Sequence, residues 1–499
     1  MNLALRKSKL LLGLFLAASV CTTCRKEVLV FDPKPSKEFT LPLLLSFDDV
    51  SCKLDSKTSS LRYSRGIDST SSFLPYVEFQ EETEVYFDGK KLKNNQRNDL
   101  GVVAVNRPYT VTFSRMGETN SFQLYFTNLP IVQVITLDKI DTDPKSFGRM
   151  IVDVPNFGNF SQDIFIAIET RGGSTGFLEK KSYGFVPTTR INTHEERPES
   201  FFGFRKSVKW ALSAMHRDFS LVRNKVCYDI WKDISQEAYH GKIETKLVEV
   251  FLNYRSLGLY HFHQVYDKVN LASTENSVLV KGDQISEETQ FSKNTSKRAT
   301  RYWNDFEQIL PKPTDRLNWD SFQELFELVV EGENSELVNE LPSKLDIDNA
   351  VDYFLLLQVM QGGDNLAKNW FFYQPRSVQP FQILPWDMDA TFGRNHGGDE
   401  ISGYSLVSNN LFNRMLALNV GGFKTKLKAK WNSLKNNELS PASLKGLFQD
   451  NFYLMQTSGI VTVENAVWGK TLNLLQEKRY IEQWIDGNWT FLDTKINSL

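Results

Sequence analysis

The amino-acid sequence predicts an α+β protein in which a β-rich half precedes an α-rich half, with a small β-sandwich in front of both. Three observations carry that prediction. Short, alternating apolar runs recur between residues 45 and 127. Longer β-type runs begin at Leu129, and from about Trp319 the apolar periodicity becomes helical. The chain has 499 residues, enough for two or three compact units, and its 36 Phe residues can fill a large core. A formal net charge of -2 leaves no electrostatic footprint for nucleic acid, so no nucleic-acid partner is expected. The four cysteines, Cys21, Cys24, Cys52 and Cys227, form no recurring CxxC pairs and suggest no zinc knuckle.

The chain begins with a targeting segment. Arg6, Lys7 and Lys9 precede the apolar run Leu10 to Ala18. That run is shorter than the roughly 20 apolar residues a bilayer span needs, so residues 1–24 read as an export leader. Cys21 and Cys24 follow it closely, where a bacterial lipoprotein carries its lipidated cysteine. Val20 and Thr23 stand where a small residue is usual, and cleavage after Ala17-Ala18-Ser19 is the alternative. The expectation is an extracytoplasmic lipoprotein, in the periplasm or on the cell surface, with a lipid anchor in the membrane. Cys52 and Cys227 would then be the remaining cysteines, free to pair in an oxidising compartment if the fold brings them together.

Residues 25–44 contain Asp32-Pro33-Lys34-Pro35-Ser36 and read as a linker. Residues 45–127 read as the sandwich, with strands at Val77–Phe79, Val85–Lys91, Tyr109–Phe113 and Ser121–Phe126. From 128 to 499 a second domain is expected. Its strands are Ile131–Ile135, Ile164–Ile168 and a run over 177–186. A helix over 221–234 and a hairpin of Leu247–Leu252 with Gly258–Phe262 follow. The apolar stretch Ile347–Met360 is helical, Trp370–Tyr373 and Phe381–Leu384 are short strands, and helices fill the chain from about Tyr404.

Three segments carry chemistry. Gly362-Gly363-Asp364-Asn365-Leu366-Ala367-Lys368-Asn369 lies between the apolar helix and a strand. The Asp-to-Asn spacing is that of a protein-kinase catalytic loop, where Asp accepts the substrate hydroxyl proton and Asn holds a metal ion. Alone it is a Gly-Asp-Asn turn. Pro385-Trp386-Asp387-Met388-Asp389 then brings two carboxylates to the end of a strand, the kind of oxygen ligand magnesium takes beside nucleotide phosphates. Upstream, Arg171-Gly172-Gly173-Ser174-Thr175-Gly176 is a turn whose backbone N–H groups can approach phosphates. In an alternating strand after it, Lys181 shares an apolar face with Tyr183 and Phe185, so Lys181 is expected to point inward and Lys180 outward.

In this order the segments resemble the CotH family of secreted protein kinases. The matching residues are the Arg171–Thr175 turn, Lys180-Lys181-Ser182-Tyr183, Leu221-Val222-Arg223-Asn224-Lys225, Val248–Asn253 with Gly258-Leu259-Tyr260, the Asp364–Asn369 loop and Pro385–Asp389. The resemblance spans about residues 129–495 and not the β-sandwich. It implies a divergent bilobal protein-kinase-like fold that transfers the ATP γ-phosphate to Ser or Thr of a secreted or surface protein. It also implies Asp364 as catalytic base, Asn369 and Asp387 as ligands of Mg²⁺ or Mn²⁺ with Asp389 as a further candidate, and Gly172, Gly173, Ser174 and Lys181 as ATP contacts. Gln264 stands where the family often has Glu, and the 221–234 helix offers no Glu for Lys181, with Asp229 the nearest acid.

Other features receive plainer readings. His261 and His263 could ligate metal but read as a hydrogen-bonded surface pair, His396 as an inert loop residue, and Trp484 and Trp489 as packing. No Ser-His-acid spacing supports a hydrolase triad. A glycoside hydrolase built on Asp387 and Asp389 lacks a supporting context. The competing function is a cell-surface binding protein that keeps the fold as a pseudokinase.

Overall fold

In the computed structural model, which describes residues 45–66, 70–136, 138–155, 160–172, 176–236, 241–295 and 300–499, the alternating runs of the first module pair into two sheets. One has four strands, Val50–Ser51, Leu45–Phe47, Tyr76–Phe79 and Gln96–Arg97. The other has six: Lys53–Asp55, Ser60–Ser64, Glu118–Thr127, Pro108–Arg115, Glu84–Phe87 and Lys90–Lys91. Alternation sends Tyr109, Val111 and Phe113, and Phe122, Leu124 and Phe126, to the interior. There Phe47 of the first sheet meets Tyr63 edge-on at 5.2 Å and stacks on Phe126 at 6.4 Å, both from the second sheet. Lys53 forms a buried 2.9 Å ion pair with Asp153 of the following domain. The leader with Cys21 and Cys24, the linker, and Gly173 and Ser174 lie outside the described residues.

The β-rich half is a closed barrel of seven strands, in the order Ile131–Thr136, Ser146–Val154, Phe160–Arg171, Ser182–Thr188, Trp210–Ser213, Arg255–Gln264 and Thr245–Leu252. Closure comes from parallel pairing of the first and last of these, with Ile131 opposite Glu249. Val134, Met150, Ile166, Phe185, Trp210 and Phe262 fill the inside. Two barrel strands, Ser146–Val154 and Trp210–Ser213, extend the sequence expectation. The strand expected over 177–186 begins only at Ser182, and residues 176–181 are turn and bend.

The α-rich half surrounds a five-stranded sheet of Tyr302–Trp303, Phe306–Leu310, Val278–Gly282, Trp370–Gln374 and Gln382–Pro385. The helix Ile347–Met360 is buried all round except at Asp348, as its apolar sequence requires. Asp346 caps it by accepting from the Asn349 N–H at 3.0 Å. Asn349 in turn ties it to Ile383, accepting from the Ile383 N–H at 2.6 Å. The C-terminal helix Leu474–Ser498 buries Ile481, Trp484, Ile485, Leu492 and Ile496, so Trp484 is core. Among the described residues no helix is long and apolar enough to cross a membrane.

Candidate active site

The helix Ile347–Met360 ends at Gln361 in the left-handed region, φ 48°, and delivers the Asp364–Asn369 loop. Asp364 opens a single 3₁₀ turn, Asp364–Leu366. Asn365 fastens that loop to the Asp turn: its amide donates to the carbonyls of Asn369 at 2.9 Å and Trp386 at 2.7 Å. The Trp386 N–H donates to the Asn369 carbonyl at 3.0 Å, and the Asn369 amide reaches the Asp387 carbonyl at 3.4 Å. Asn369 at φ 62° and Asp387 at φ 50° both adopt the left-handed conformation that Asn and Asp tolerate best. The two motifs are therefore one hydrogen-bonded unit.

The helix Arg223–Ile234 supports this unit from below. The Asn224 side chain accepts from the Met388 N–H at 3.0 Å. Arg223, fully buried, donates to the Thr391 carbonyl at 2.8 Å and pairs with Asp218 and Glu477 at 2.6 Å each. The Leu221–Lys225 motif thus supplies the joint between the Asp turn and the C-terminal helix.

On the barrel side the facing of the two lysines is the reverse of the expectation. Lys180 is 1 % exposed and Lys181 is half-buried. The reason is local: alternation fails because the strand starts after Lys181. The Lys180 ammonium donates to both carboxylate oxygens of Glu464, at 2.8 and 3.0 Å, and to the Leu259 carbonyl at 2.5 Å. It lies 4.6 Å from the Tyr260 ring centroid. Burial lowers its pKa to about 8, with Glu464 opposing the fall. Lys181 folds back onto the Gly176 carbonyl at 2.5 Å. Glu464 comes from the helix Ile460–Trp468, not from 221–234, where Asp229 pairs with Lys225 instead. Gly258, at φ 77°, makes room for Glu464: a Cβ there would lie 2.3 Å from its carboxylate.

These elements meet at one cleft lined by Arg171, Gly172, Lys180, Asn224, Tyr228, Trp386, Asp387 and Asp389. Asp387 opens to solvent at its floor while protein crowds its other sides. That enclosure raises its carboxyl above the usual range, against Arg171, Lys281 and Lys368, and Asp364 adds to the rise. Asp389 is raised further, by burial and then by Asp387, Asp218 and Asp364. The Asp364 charge therefore reaches both carboxylates of the Asp turn. Two carboxylates that oppose each other's ionisation, beside the Asn369 amide, are an oxygen donor set suited to a hard divalent cation. Among the described residues no three His, Cys, Asp or Glu side chains form a closed cage. Magnesium bound partly by phosphates needs none.

Of the remaining candidates, His263 borders the cleft and the others fall elsewhere. Gln264 is buried and bonds to the backbone of Glu244 and Arg205, away from the cleft. His261 and His263 are buried against Tyr228, not on the surface. The His263 ring bonds Ser213 and the Gln264 carbonyl at 2.8 Å each, and burial pushes its pKa down to about 3. His396 is exposed and only its carbonyl is used, by Arg217. Cys52 and Cys227 are both free and buried; Cys227 lies under the Asp turn, 3.5 Å from the Thr391 hydroxyl. The sequence reading passed over Glu464, Asn224 and Arg171 as site residues. The signal for Glu464 was an acid directly after the mainly apolar run Ile460-Val461-Thr462-Val463.

The model of the family described as CotH kinase protein matches residues 168–492. The inner spore coat protein H of Bacillus subtilis (strain 168) is 24% identical over 282 residues, which cover 55% of this chain and 72% of that protein.

Proposed function

The chain belongs to the CotH kinase protein family, and from that membership and the cleft just described we propose that it is an exported protein kinase. It transfers the ATP γ-phosphate to Ser or Thr of a secreted or surface protein, and its barrel and α-rich half act as the two lobes of a kinase-like fold. The observation that carries this reading is the convergence of Gly172 and Lys180 from the barrel with Asp387 and Asp389 on one cleft, with Asp364 fastened beside them.

Asp364 accepts the proton of the attacking hydroxyl as its oxygen bonds the γ-phosphorus and the bond to the β-phosphate oxygen breaks, releasing ADP. Gly172 offers its backbone N–H to the phosphates, and Gly173 and Ser174, the other expected ATP contacts, follow it in the sequence. Mg²⁺ or Mn²⁺ held by Asn369, Asp387 and Asp389 would neutralise phosphate charge. Lys180, sealed by Glu464, fixes the barrel to the α-rich half rather than reaching the ligand directly. That sealing also favours a second reading, a pseudokinase acting as a surface binding protein, because the lysine has no proton left to donate.

Transfer of label from ATP to protein in the presence of Mg²⁺ or Mn²⁺ decides between them. Asp364→Asn should reduce the rate about 10²–10⁴-fold while ATP binding persists. Undiminished transfer by that variant would assign the chemistry elsewhere, and a wild type that binds ATP but transfers nothing would establish the pseudokinase. The leader supports an extracytoplasmic lipoprotein anchored through Cys21 or Cys24. Lipid label should be present on wild type and absent from the Cys21→Ser, Cys24→Ser double variant; label that survives in the double variant contradicts the anchor.

A further inference from the structure

A cleft that binds polyphosphate needs a cation with unused donors. Lys180 has none: its three protons go to the Leu259 carbonyl and the two Glu464 oxygens, and the side chain is 0% exposed. Lys181 is tethered to the Gly176 carbonyl and lines a neighbouring cavity instead. Arg217, on the same wall, donates to the His396 carbonyl at 3.2 Å.

Arg171 differs from both lysines in having every donor free among the described residues, and from Arg217 in standing between Gly172 and Trp386 rather than being tied to the His396 loop. It ends the strand Phe160–Arg171, opposite Ser182 in register and next to Gly172. Its guanidinium lies 5.2 Å from the Trp386 ring centroid. Among the described residues it makes no hydrogen bond or ion pair, although it feels the Asp387 and Glu169 charges. It borders the cleft and both adjoining cavities. The guanidinium is half-buried on the wall of the cleft, where its planar fork of five N–H donors, bonded to no side chain, can take up an oxyanion.

We propose that Arg171, stacked on Trp386 between the Gly turn and Asp387, is the phosphate-binding cation of this site and contacts the polyphosphate of the nucleotide. The proposal rests on the kinase reading and deepens it. It replaces the expected lysine with an arginine whose fork suits two phosphate oxygens at once. It also gives Trp386 a role: the ring holds the fork in place before the ligand arrives, so little freedom is lost on binding. When a divalent cation takes up the Asp387 charge, Arg171 loses its nearest attraction and turns wholly to phosphate. Metal and polyphosphate therefore bind cooperatively.

The test measures binding of three probes to the full chain by titration calorimetry: ATP with Mg²⁺, inorganic triphosphate with Mg²⁺, and adenosine alone. Arg171→Gln and the charge-retaining Arg171→Lys are compared with wild type, and their melting curves show whether each is folded. Both variants are expected to lose about tenfold or more for ATP and for triphosphate, with Arg171→Lys losing less, and to bind adenosine as wild type does. Unchanged triphosphate binding in a folded Arg171→Lys and a folded Arg171→Gln overturns the proposal and leaves the kinase reading intact. A loss of equal size for adenosine also overturns it, since that is the mark of a structural role. A wild type that binds none of the probes overturns the kinase reading, and this inference falls with it.

Discussion

Two sets of charge in this molecule, one buried and one lining an open cleft, are built in opposite ways. At the seam between barrel and helices every charge is matched. Lys180 meets both oxygens of Glu464, and Arg223 is shared by Asp218 and Glu477 with backbone carbonyls taking its other protons. At the cleft no ion pair is closed among the described residues: Asp387 and Asp389 oppose each other with only more distant cations acting on Asp387, and Arg171 has a ring beneath it but no carboxylate in contact. Folding alone favours the first arrangement, because a buried charge without a partner costs more than its loss of hydration is repaid. The second is what a site looks like when its missing counter-charges arrive with a ligand.

The matched seam should be the costlier to break. Glu464→Ala leaves Lys180 buried and unpaired, and about 3–5 kcal/mol of stability should be lost in chemical denaturation. The double variant Lys180→Met, Glu464→Leu should recover much of that loss, because replacing both partners by apolar groups of similar volume is often near neutral. A Glu464→Ala protein of wild-type stability would remove the seam from the account.

The unmatched cleft should respond in the other direction. Asp389→Asn should raise the melting temperature of the metal-free protein at pH 7 while weakening its response to metal. The sign follows from linkage. A carboxyl whose pKa is raised by folding costs nothing below its unfolded value, about 3.9 for Asp, and costs progressively more as pH rises towards the folded value. The gain from Asp389→Asn should therefore fade as pH falls below about 4. A lowered melting temperature at pH 7 would mean that Asp389 is a structural cap.

What was legible in the sequence was mostly local. The helix Ile347–Met360, the hairpin of Thr245–Leu252 and Arg255–Gln264, and the strand before Asp387 follow from apolar runs and turns read in place. The order of the motifs was enough to identify the family. Barrel closure was not legible, since it depends on Ile131 pairing with Glu249 across more than a hundred residues. The lysine facing was misread because alternation was extended one turn too early, over residues that form no strand. Glu464 was invisible as a partner because it reaches Lys180 from 284 residues away. Its only local trace was an acid placed directly after a mainly apolar run.

The central claim is that the unmatched charges of the cleft await metal and polyphosphate, and the thermal response to Mg²⁺ with ATP tests it most directly. At 100 times the dissociation constant a ligand that binds only the folded state adds about 2.7 kcal/mol, an easily measured rise in melting temperature. Wild type should show that rise with Mg²⁺ and ATP together and much less with either alone, and Asp387→Asn should lose most of it. A wild-type melting curve that Mg²⁺ and ATP leave unmoved, or an Asp387→Asn protein stabilised as fully as wild type, would contradict the account.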